Sequence, residues 1–467
     1  MRKVRIAILG AGTAGLTALS QVRKHTDDFV VVNHGAYGTT CARVGCMPSK
    51  ALIQAADDFH RRHALATLGI RGGEALRLDL PAVLQHVRDY RDARVAGVLG
   101  STASLQPQQN IAGRARLDGP NRVVVALPDG QEEVIAADHI VVGTGTRPVV
   151  PDAWRAFGGR ILTTDDLFEQ PDLPRRIAVI GLGVIGLELG QALARLGLDI
   201  SGYELRESLG PLTDPVIQAE ARRRIGAEFP LHLGHAVNLR EGSNGAVVVD
   251  DGEHAAEFDA VLAALGRRPN IDGLGLETLG VPLDAGGLPG FDRHTLQIGD
   301  LPVFFSGDVN GELQVLHEAS DEGFIAAFNA LHGPAGFRRR VPLAIAFTEP
   351  QIAVVGQSWQ ALQGRPFAVG EFNFAQQARA MAMLRAAGRL HVYAEPGSGK
   401  LLGAEMCVPA AEHLGHLLAL AIQRDMTVAE LLTLPFYHPV LEEGLRAALR
   451  VLAKAVYGEA PLEMARL

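Results

Sequence analysis

The stretch from Val4 to Leu9 reads as an apolar strand, and it runs straight into Gly10, Gly12 and Gly15. Ile177 to Ile180 repeats the pattern and opens into Gly181, Gly183 and Gly186. Strand, glycine-rich turn and helix in that order form the first half of a βαβ unit. The first glycine permits the tight turn, the second lets a pyrophosphate approach the backbone, and the third lets the helix pack close to the strand. One such pattern is weak evidence; two, each at the right point of a βαβ unit, predict a pair of dinucleotide-binding units.

Each unit closes on a related sequence. Ile140 to Val142 leads to Gly143-Thr144-Gly145-Thr146-Arg147-Pro148, and Ala260 to Ala263 leads to Ala264-Leu265-Gly266-Arg267-Arg268-Pro269. Proline is expected to stop further strand pairing there. A later apolar run, Val303-Phe304-Phe305, followed by Ser306-Gly307-Asp308, still needs a sheet to join, so the second unit is expected to be inserted into the first. An aspartate at the carboxyl end of such a strand points into the ligand crevice. On local grounds a turn-forming Asp-Val-Asn-Gly loop fits Asp308 equally well.

The chain has 467 residues, which at about 100 to 200 residues per domain predicts two to four domains, each with its own core. A hydrophobic content of 47% with 53 glycines fits an α/β protein with many tight turns. The net charge of -8, with Lys and Arg scattered, implies neither a nucleic acid nor an anionic membrane as partner. Met1 to Leu9 has the look of a short charged and apolar leader but runs into the glycine fingerprint, so it reads as a strand and not a signal peptide. No window has the roughly eighteen uninterrupted apolar residues of a membrane span, and a cytoplasmic location is expected.

Chemistry enters with the cysteines. Of three in the chain, Cys41 and Cys46 lie five positions apart in Gly38-Thr39-Thr40-Cys41-Ala42-Arg43-Val44-Gly45-Cys46-Met47-Pro48-Ser49-Lys50. In a reducing compartment a disulfide between them is more readily catalytic or redox-sensing than structural. Zinc is not expected at the pair, because no second pair of ligands follows at a recognisable spacing, and no metal is expected elsewhere. A helix running from Met47 through Ala51, Ile53 and Ala55 places the cysteines near its start, where the dipole favours a thiolate. From the cysteines alone, two unrelated buried thiols fit equally well. Cys407, in an apolar stretch, reads as a core thiol.

Each dinucleotide unit should present a ribose-binding residue a little over twenty positions after its first glycine. In the second unit this is Glu204, which would accept from both ribose hydroxyls and repel a 2′-phosphate, predicting NAD over NADP. Arg206 follows, and in that position it could instead accommodate the phosphate. In the first unit Asn33 stands where an acid is expected and can still bond a ribose hydroxyl without the charge.

With these features together the sequence resembles the class I pyridine nucleotide-disulfide oxidoreductases, the family of dihydrolipoyl dehydrogenase, glutathione reductase and mercuric reductase. The resemblance spans nearly the whole chain. It rests on the Cys41 to Lys50 run, both glycine fingerprints, Thr144 to Pro148, Gly266-Arg267-Arg268-Pro269-Asn270, Ser306-Gly307-Asp308, Phe347 to Ile352 and Tyr437-His438-Pro439-Val440-Leu441-Glu442-Glu443. It implies an α/β protein with two Rossmann-like domains, the second inserted in the first, and a C-terminal α+β dimerisation domain. The implied divisions are an FAD-binding domain over 1–148, an NAD-binding domain over 149–269, a central domain over 270–340 that completes the FAD-binding fold, and an interface domain over 341–467.

The same resemblance implies a homodimer and residue roles. FAD would lie on Gly10, Gly12, Gly15 and Asn33, with Lys50 near the flavin ring, Gly113 near the adenine, and Asp308 and Leu316 closing the site. NAD(H) would use Gly181, Gly183, Gly186, Glu204, Val237 and Gly266. Cys46 would be the thiol beside the flavin and Cys41 the one that exchanges with substrate. His438 of the other subunit would be the acid-base, oriented by Glu443, and Glu188 would pair with Lys50. Taken alone, His438 reads better as a surface or core histidine; its proline and glutamate context reverses that.

Departures from the family pattern bear on the substrate. Ala42 and Arg43 stand between the cysteines where a bulky apolar residue and Asn are usual, so an added cation sits near the thiols, either depressing a thiol pKa or facing solvent. Phe436 replaces a histidine that the lipoyl enzymes tend to carry two residues before His438. The absence of C-terminal cysteines after Pro461 disfavours mercuric reductase and the large thioredoxin reductases, and Glu204 disfavours glutathione reductase. Dihydrolipoyl dehydrogenase remains by elimination and overall similarity, with a small disulfide or lipoyl substrate, free or carried on a lipoyl-bearing protein. A reductase of another disulfide, metal ion or quinone, and a flavin-bound redox sensor without turnover, are the other two readings.

Overall fold

The computed structural model describes residues 1–459 and 461–464. Arg2–Leu9 becomes an inner strand of a seven-stranded sheet ordered Asn110–Ala112, Phe29–Asn33, Arg2–Leu9, Glu132–Val142, Arg122–Ala126, Arg114–Leu117. Its four last residues are fully buried, as expected of a parallel strand covered on both faces. Glu132–Val142 is long enough to serve two neighbours on one edge. Its first half pairs antiparallel with Arg122–Ala126, and Ile140 to Val142 pair in parallel with Val303–Phe305. The chain thus leaves this sheet after Val142 and returns to it at Val303.

Between those points lies a second, all-parallel sheet ordered Leu231–Leu233, Asp199–Glu204, Arg176–Ile180, Ala260–Ala263, Ile161–Leu162. A three-stranded antiparallel sheet, Asn238–Glu241, Val247–Asp250 and Ala255–Phe258, packs beside it. The insertion is therefore a complete nucleotide-binding unit. The expectation that proline ends pairing at the two exits needs correction. Thr146–Pro148 and Arg267–Pro269 pair antiparallel with each other, Thr146 opposite Pro269 and Arg267 opposite Pro148, so the two crossings form one two-stranded ribbon. Each proline lies at the end of its short strand, where a missing N–H is tolerated.

The C-terminal part is a five-stranded antiparallel sheet ordered Leu343–Ala346, Gln351–Gly356, Leu401–Val408, Arg389–Ala394, Ala368–Asn373. Helices Ala411–Gln423 and Glu442–Tyr457 bury Leu414, Leu418, Leu445, Leu449 and Leu452 against it. Cys407 is fully buried in this sheet, and burial pushes its thiol up to about 12, so it stays a protonated core side chain.

One helix ties the three parts together. Val184–Arg195 is buried along most of its length, and its polar residues Glu188, Gln191 and Arg195 fall at the spacing of a single face. Glu188 reaches Lys50 and the backbone N–H of Phe347. Gln191 brackets Glu349, accepting from its N–H and donating to its carbonyl. Arg195 binds Asp57 and both oxygens of Glu228. The helix of the second glycine fingerprint is thus bonded to the cysteine-bearing helix and to the C-terminal sheet.

Candidate active site

The expected helix after the cysteines forms as Cys46–His60, but Cys41 is not on it. Cys41 lies in a separate short helix, Thr40–Val44, broken from the next at Gly45, whose φ/ψ of -125°/-116° is not helical. Cys46 is the first helical residue and Pro48 sits in the first turn, where its missing N–H costs no hydrogen bond. Thr39 caps the short helix by accepting the Ala42 N–H at 3.2 Å, and does so at φ 61°. For a β-branched residue that conformation costs of order 1–3 kcal/mol. The segment before Cys41 is held in an unfavourable shape, which no residue pattern announced.

Hydrogen bonding to Cys41 is the largest influence on the Cys46 thiol. That bond lowers the Cys46 thiol to about 7; burial opposes the shift, and the Lys50 ammonium adds to it. The same bond pushes the Cys41 thiol up, with burial and the Cys46 charge acting in the same direction. The shifts run in opposite directions and make Cys46 the more acidic thiol of the pair. The cation that acts on it is Lys50, whereas the Arg43 side chain packs against Gly38 and stands outside the cavity wall. Lys50 Nζ donates to Glu188 Oε2 at 2.7 Å and lies 4.7 Å from the centre of the Phe347 ring.

Both cysteines line a cavity of about 860 Å³ that runs between the two glycine loops. Gly12, Lys50, Gly181, Gly183, Glu188, Glu204, Gly266, Asp308 and Leu316 also face it, together with Arg267 and Phe347 from the motifs that carry the family resemblance, and His416, which the sequence reading did not single out. At Gly10 and Gly181 φ is +108° and +94°. A Cβ on Gly15 would stand 1.9 Å from the Gly10 carbonyl oxygen, and one on Gly186 1.8 Å from that of Gly181, so both helices need glycine to start where they do. At Gly12 the nearest atom to such a Cβ is 3.9 Å away, and at Gly183 nothing lies within 4 Å. Those two open positions leave a cradle over each loop of the kind a dinucleotide pyrophosphate fills.

The two units are alike in a further detail. Glu204 Oε2 accepts the Leu182 N–H at 2.8 Å, and Asn33 Oδ1 accepts the Ala11 N–H at 3.0 Å. In both, the residue ending the second strand holds the middle of the glycine loop. Glu204 also accepts the Arg206 N–H at 3.1 Å, while the Arg206 side chain is largely exposed.

Asp308 follows Val303–Phe305 in a short turn, and burial pushes its carboxyl up against the opposing pull of Arg267 and of Thr146 Oγ1, 3.3 Å away. Arg267 in turn donates to Thr146 Oγ1 and to its carbonyl, both at 2.9 Å, so the two-stranded ribbon supplies the wall beside Asp308. The turn itself is held from behind by Glu322, which accepts from the Gly307 N–H and Asn310 Nδ2 at 2.6 Å each and pairs with Arg339.

Other expected positions lie off the cavity. Gly113 sits at the sheet edge, its N–H bonded to the Asn33 carbonyl, with Val125 and Ala126 leaving no room for a Cβ. Val237 packs with Trp154, Tyr203 and Phe258. His438 Nδ1 meets Glu443 Oε1 at 3.0 Å, and the histidine is about three-quarters exposed and outside the cavity wall. Within one chain His438 and the cysteines are not brought together.

Comparison with known proteins agrees with this geometry. Residues 4–323 match the pyridine nucleotide-disulphide oxidoreductase domain and residues 342–449 the dimerisation domain of the same family. A dihydrolipoyl dehydrogenase of Halobacterium salinarum is 31% identical over 469 residues, 97% of each chain. A mercuric reductase of Acidithiobacillus ferrooxidans is 30% identical, covering 97% of this chain and 84% of that one. The solved structure of LpdA from Mycobacterium tuberculosis superposes with a TM-score of 0.84 at 26% identity, over 96% of this chain and 99% of the other. Members of this family bind FAD and use a nicotinamide dinucleotide, and the two cradles fit those cofactors. The chain belongs to the class I pyridine nucleotide-disulfide oxidoreductases.

Proposed function

We propose that this protein exchanges electrons between NAD(H) and a small dithiol/disulfide substrate, and that it acts as a dihydrolipoyl dehydrogenase. The observation that carries the reading is the asymmetric cysteine pair on the wall of a cavity shared by both glycine loops, with Cys46 lowered to about 7 and Cys41 raised. Bound FAD supplies two-electron transfer between the nicotinamide and the disulfide. The chain's own residues bind, orient and move protons around that step. Gly10, Gly12, Gly15, Asn33 and Asp308 would hold FAD; Gly181, Gly183, Gly186, Glu204 and Gly266 would hold NAD(H).

In the reduced pair Cys46 keeps the negative charge beside Lys50, leaving the protonated Cys41 as the sulfur that meets substrate. Disulfide exchange also needs a group that takes a proton from the attacking thiol and returns it to the departing sulfur. His438 has the ordinary side-chain chemistry for this, and Glu443, at 3.0 Å from Nδ1, fixes the tautomer that leaves Nε2 free to act. Since His438 lies outside its own chain's cavity, a second copy would supply it across the dimer. Glu204 would meet a 2′-phosphate with like charge, favouring NADH over NADPH.

Steady-state turnover of the FAD-loaded enzyme with NADH and free lipoamide tests the proposal. Turnover is expected, and His438→Ala should lower it by roughly 10² to 10⁴ while NADH still bleaches the flavin. Turnover with another disulfide, a metal ion or a quinone but not with lipoamide would replace this substrate with that acceptor. The near-equal similarity to a mercuric reductase favours that as the second reading. No turnover with any acceptor would leave a redox sensor.

A further inference from the structure

Three ligand-type side chains gather on the second nucleotide-binding unit, away from the cavity. His232 is the middle residue of the edge strand Leu231–Leu233, and Asp251 and His254 flank the tight turn between Val247–Asp250 and Ala255–Phe258. One donor atom from each lies within 4.8 Å of the others. We propose that His232, Asp251 and His254 form a binding site for one divalent transition-metal ion of the zinc class.

The cluster is built rather than incidental. Asp251 Oδ1 accepts the backbone N–H groups of Glu253 and His254 at 2.9 and 2.6 Å, which fixes the carboxylate and leaves Oδ2 facing His232 Nδ1 at 3.1 Å. Four tetrahedral ligands at about 2.0–2.1 Å from a zinc ion stand about 3.3 Å from one another, so that pair is already spaced as an edge of the site. The His232 ring is held flat against the buried Tyr203 ring, 4.5 Å between centres and 12° between planes. Orientation of first ligands by surrounding groups is what a metal site requires. The third ligand is the exposed one: His254 is two-thirds exposed, with its Nδ1 3.9 Å from Asp251 Oδ1.

Charge points the same way. The Asp251 side chain is 3% exposed. Among the described residues it has no Lys or Arg partner; its only ion-pair neighbours are the two histidines. A carboxylate and two imidazoles with no resident cation make a net acceptor of positive charge, and nitrogen and carboxylate donors suit zinc, nickel and copper. The site lies behind Tyr203, the neighbour of Glu204, and none of its three residues faces the cavity.

The test uses untagged, FAD-loaded enzyme with the Cys41–Cys46 pair oxidised, so that no thiolate competes, stripped by a chelator and titrated calorimetrically with zinc chloride. One ion per subunit is expected. His254→Gln, a change at an exposed position, should weaken binding by at least about tenfold, and His232→Gln likewise. Zinc should raise the thermal midpoint of the parent enzyme and not that of His254→Gln. The double variant Cys41→Ser, Cys46→Ser should bind zinc as the parent does. Absence of a one-to-one isotherm up to about 100 μM, at the weak end of μM affinity, would overturn the proposal. So would unchanged affinity in the histidine variants, or loss of binding in the cysteine double variant.

Discussion

Replacing Gly183 by Ala separates what the protein needs at this position from what its ligand needs. The residue has φ -67° and ψ -170°, a conformation open to any amino acid, and no atom lies within 4 Å of the added methyl. Alanine is a poorer N-cap than glycine by roughly 0.5–1 kcal/mol. It also removes unfolded-state entropy worth about 0.4–1 kcal/mol. The two offset each other, so the thermal midpoint of the variant should stay within a degree or two of the parent. The methyl, however, occupies the open cradle where the NADH pyrophosphate would meet the backbone. A tenfold to hundredfold loss of affinity, about 1.4–2.8 kcal/mol, is expected. Gly186→Ala is the contrast: its methyl would stand 1.8 Å from the Gly181 carbonyl oxygen, so stability and NADH binding should fall together. Differential scanning fluorimetry and calorimetric titration with NADH read the two quantities on FAD-loaded protein. NADH affinity within twofold of the parent in a well-folded Gly183→Ala would refute the reasoning, because the open space would then not be the pyrophosphate's.

Other expectations follow from single contacts. Lys50→Met removes the cation that helps hold Cys46 near 7, so its pKa should rise. Iodoacetamide labelling of the reduced protein should slow at pH 7 and recover at higher pH, and an unchanged pH profile would show that Lys50 does not act on the thiol. Because Glu204 would face a 2′-phosphate, kcat/KM for NADH should exceed that for NADPH by at least about tenfold, or 1.4 kcal/mol; equal use of both would mean that Arg206 compensates. Arg195→Met strands Asp57 and Glu228 beside a buried face and should cost about 3–5 kcal/mol in urea unfolding, whereas an unmoved midpoint would make the tie between the domains dispensable.

Much of this fold was legible because its inner strands are continuous apolar runs: Val4 to Leu9, Ile177 to Ile180 and Ala260 to Ala263 all form, and Val303 to Phe305 returns to the first sheet. The glycine loops were legible because Gly10, Gly15, Gly181 and Gly186 answer local steric demands, while Gly12 and Gly183 complete the pattern at positions the protein itself leaves open. What escaped depends on partners distant in the chain. The ribbon of Thr146–Pro148 and Arg267–Pro269 forms only because two domain exits meet, and the local rule for proline pointed away from it. Glu322 is a buried carboxylate paired with the partly buried Arg339, a pairing no periodicity encodes. The break at Gly45, which puts Cys41 on a helix of its own, falls on a glycine packed close to Thr40 and Cys41, a stop signal that the sequence reading passed over. Asn33 was read as a ribose ligand, while the structure also gives it a bond to the Ala11 N–H, the counterpart of Glu204 on Leu182.

The central claim is that Cys41 and Cys46 store electrons in addition to those held by the flavin. Anaerobic titration of the FAD-loaded enzyme with dithionite, followed by absorbance, measures that store directly. A disulfide is a two-electron couple, so the parent protein should take up about twice the electrons per subunit that Cys41→Ser or Cys46→Ser takes up. Equal uptake by the parent and both variants would contradict the account, because the pair would then carry no electrons at all.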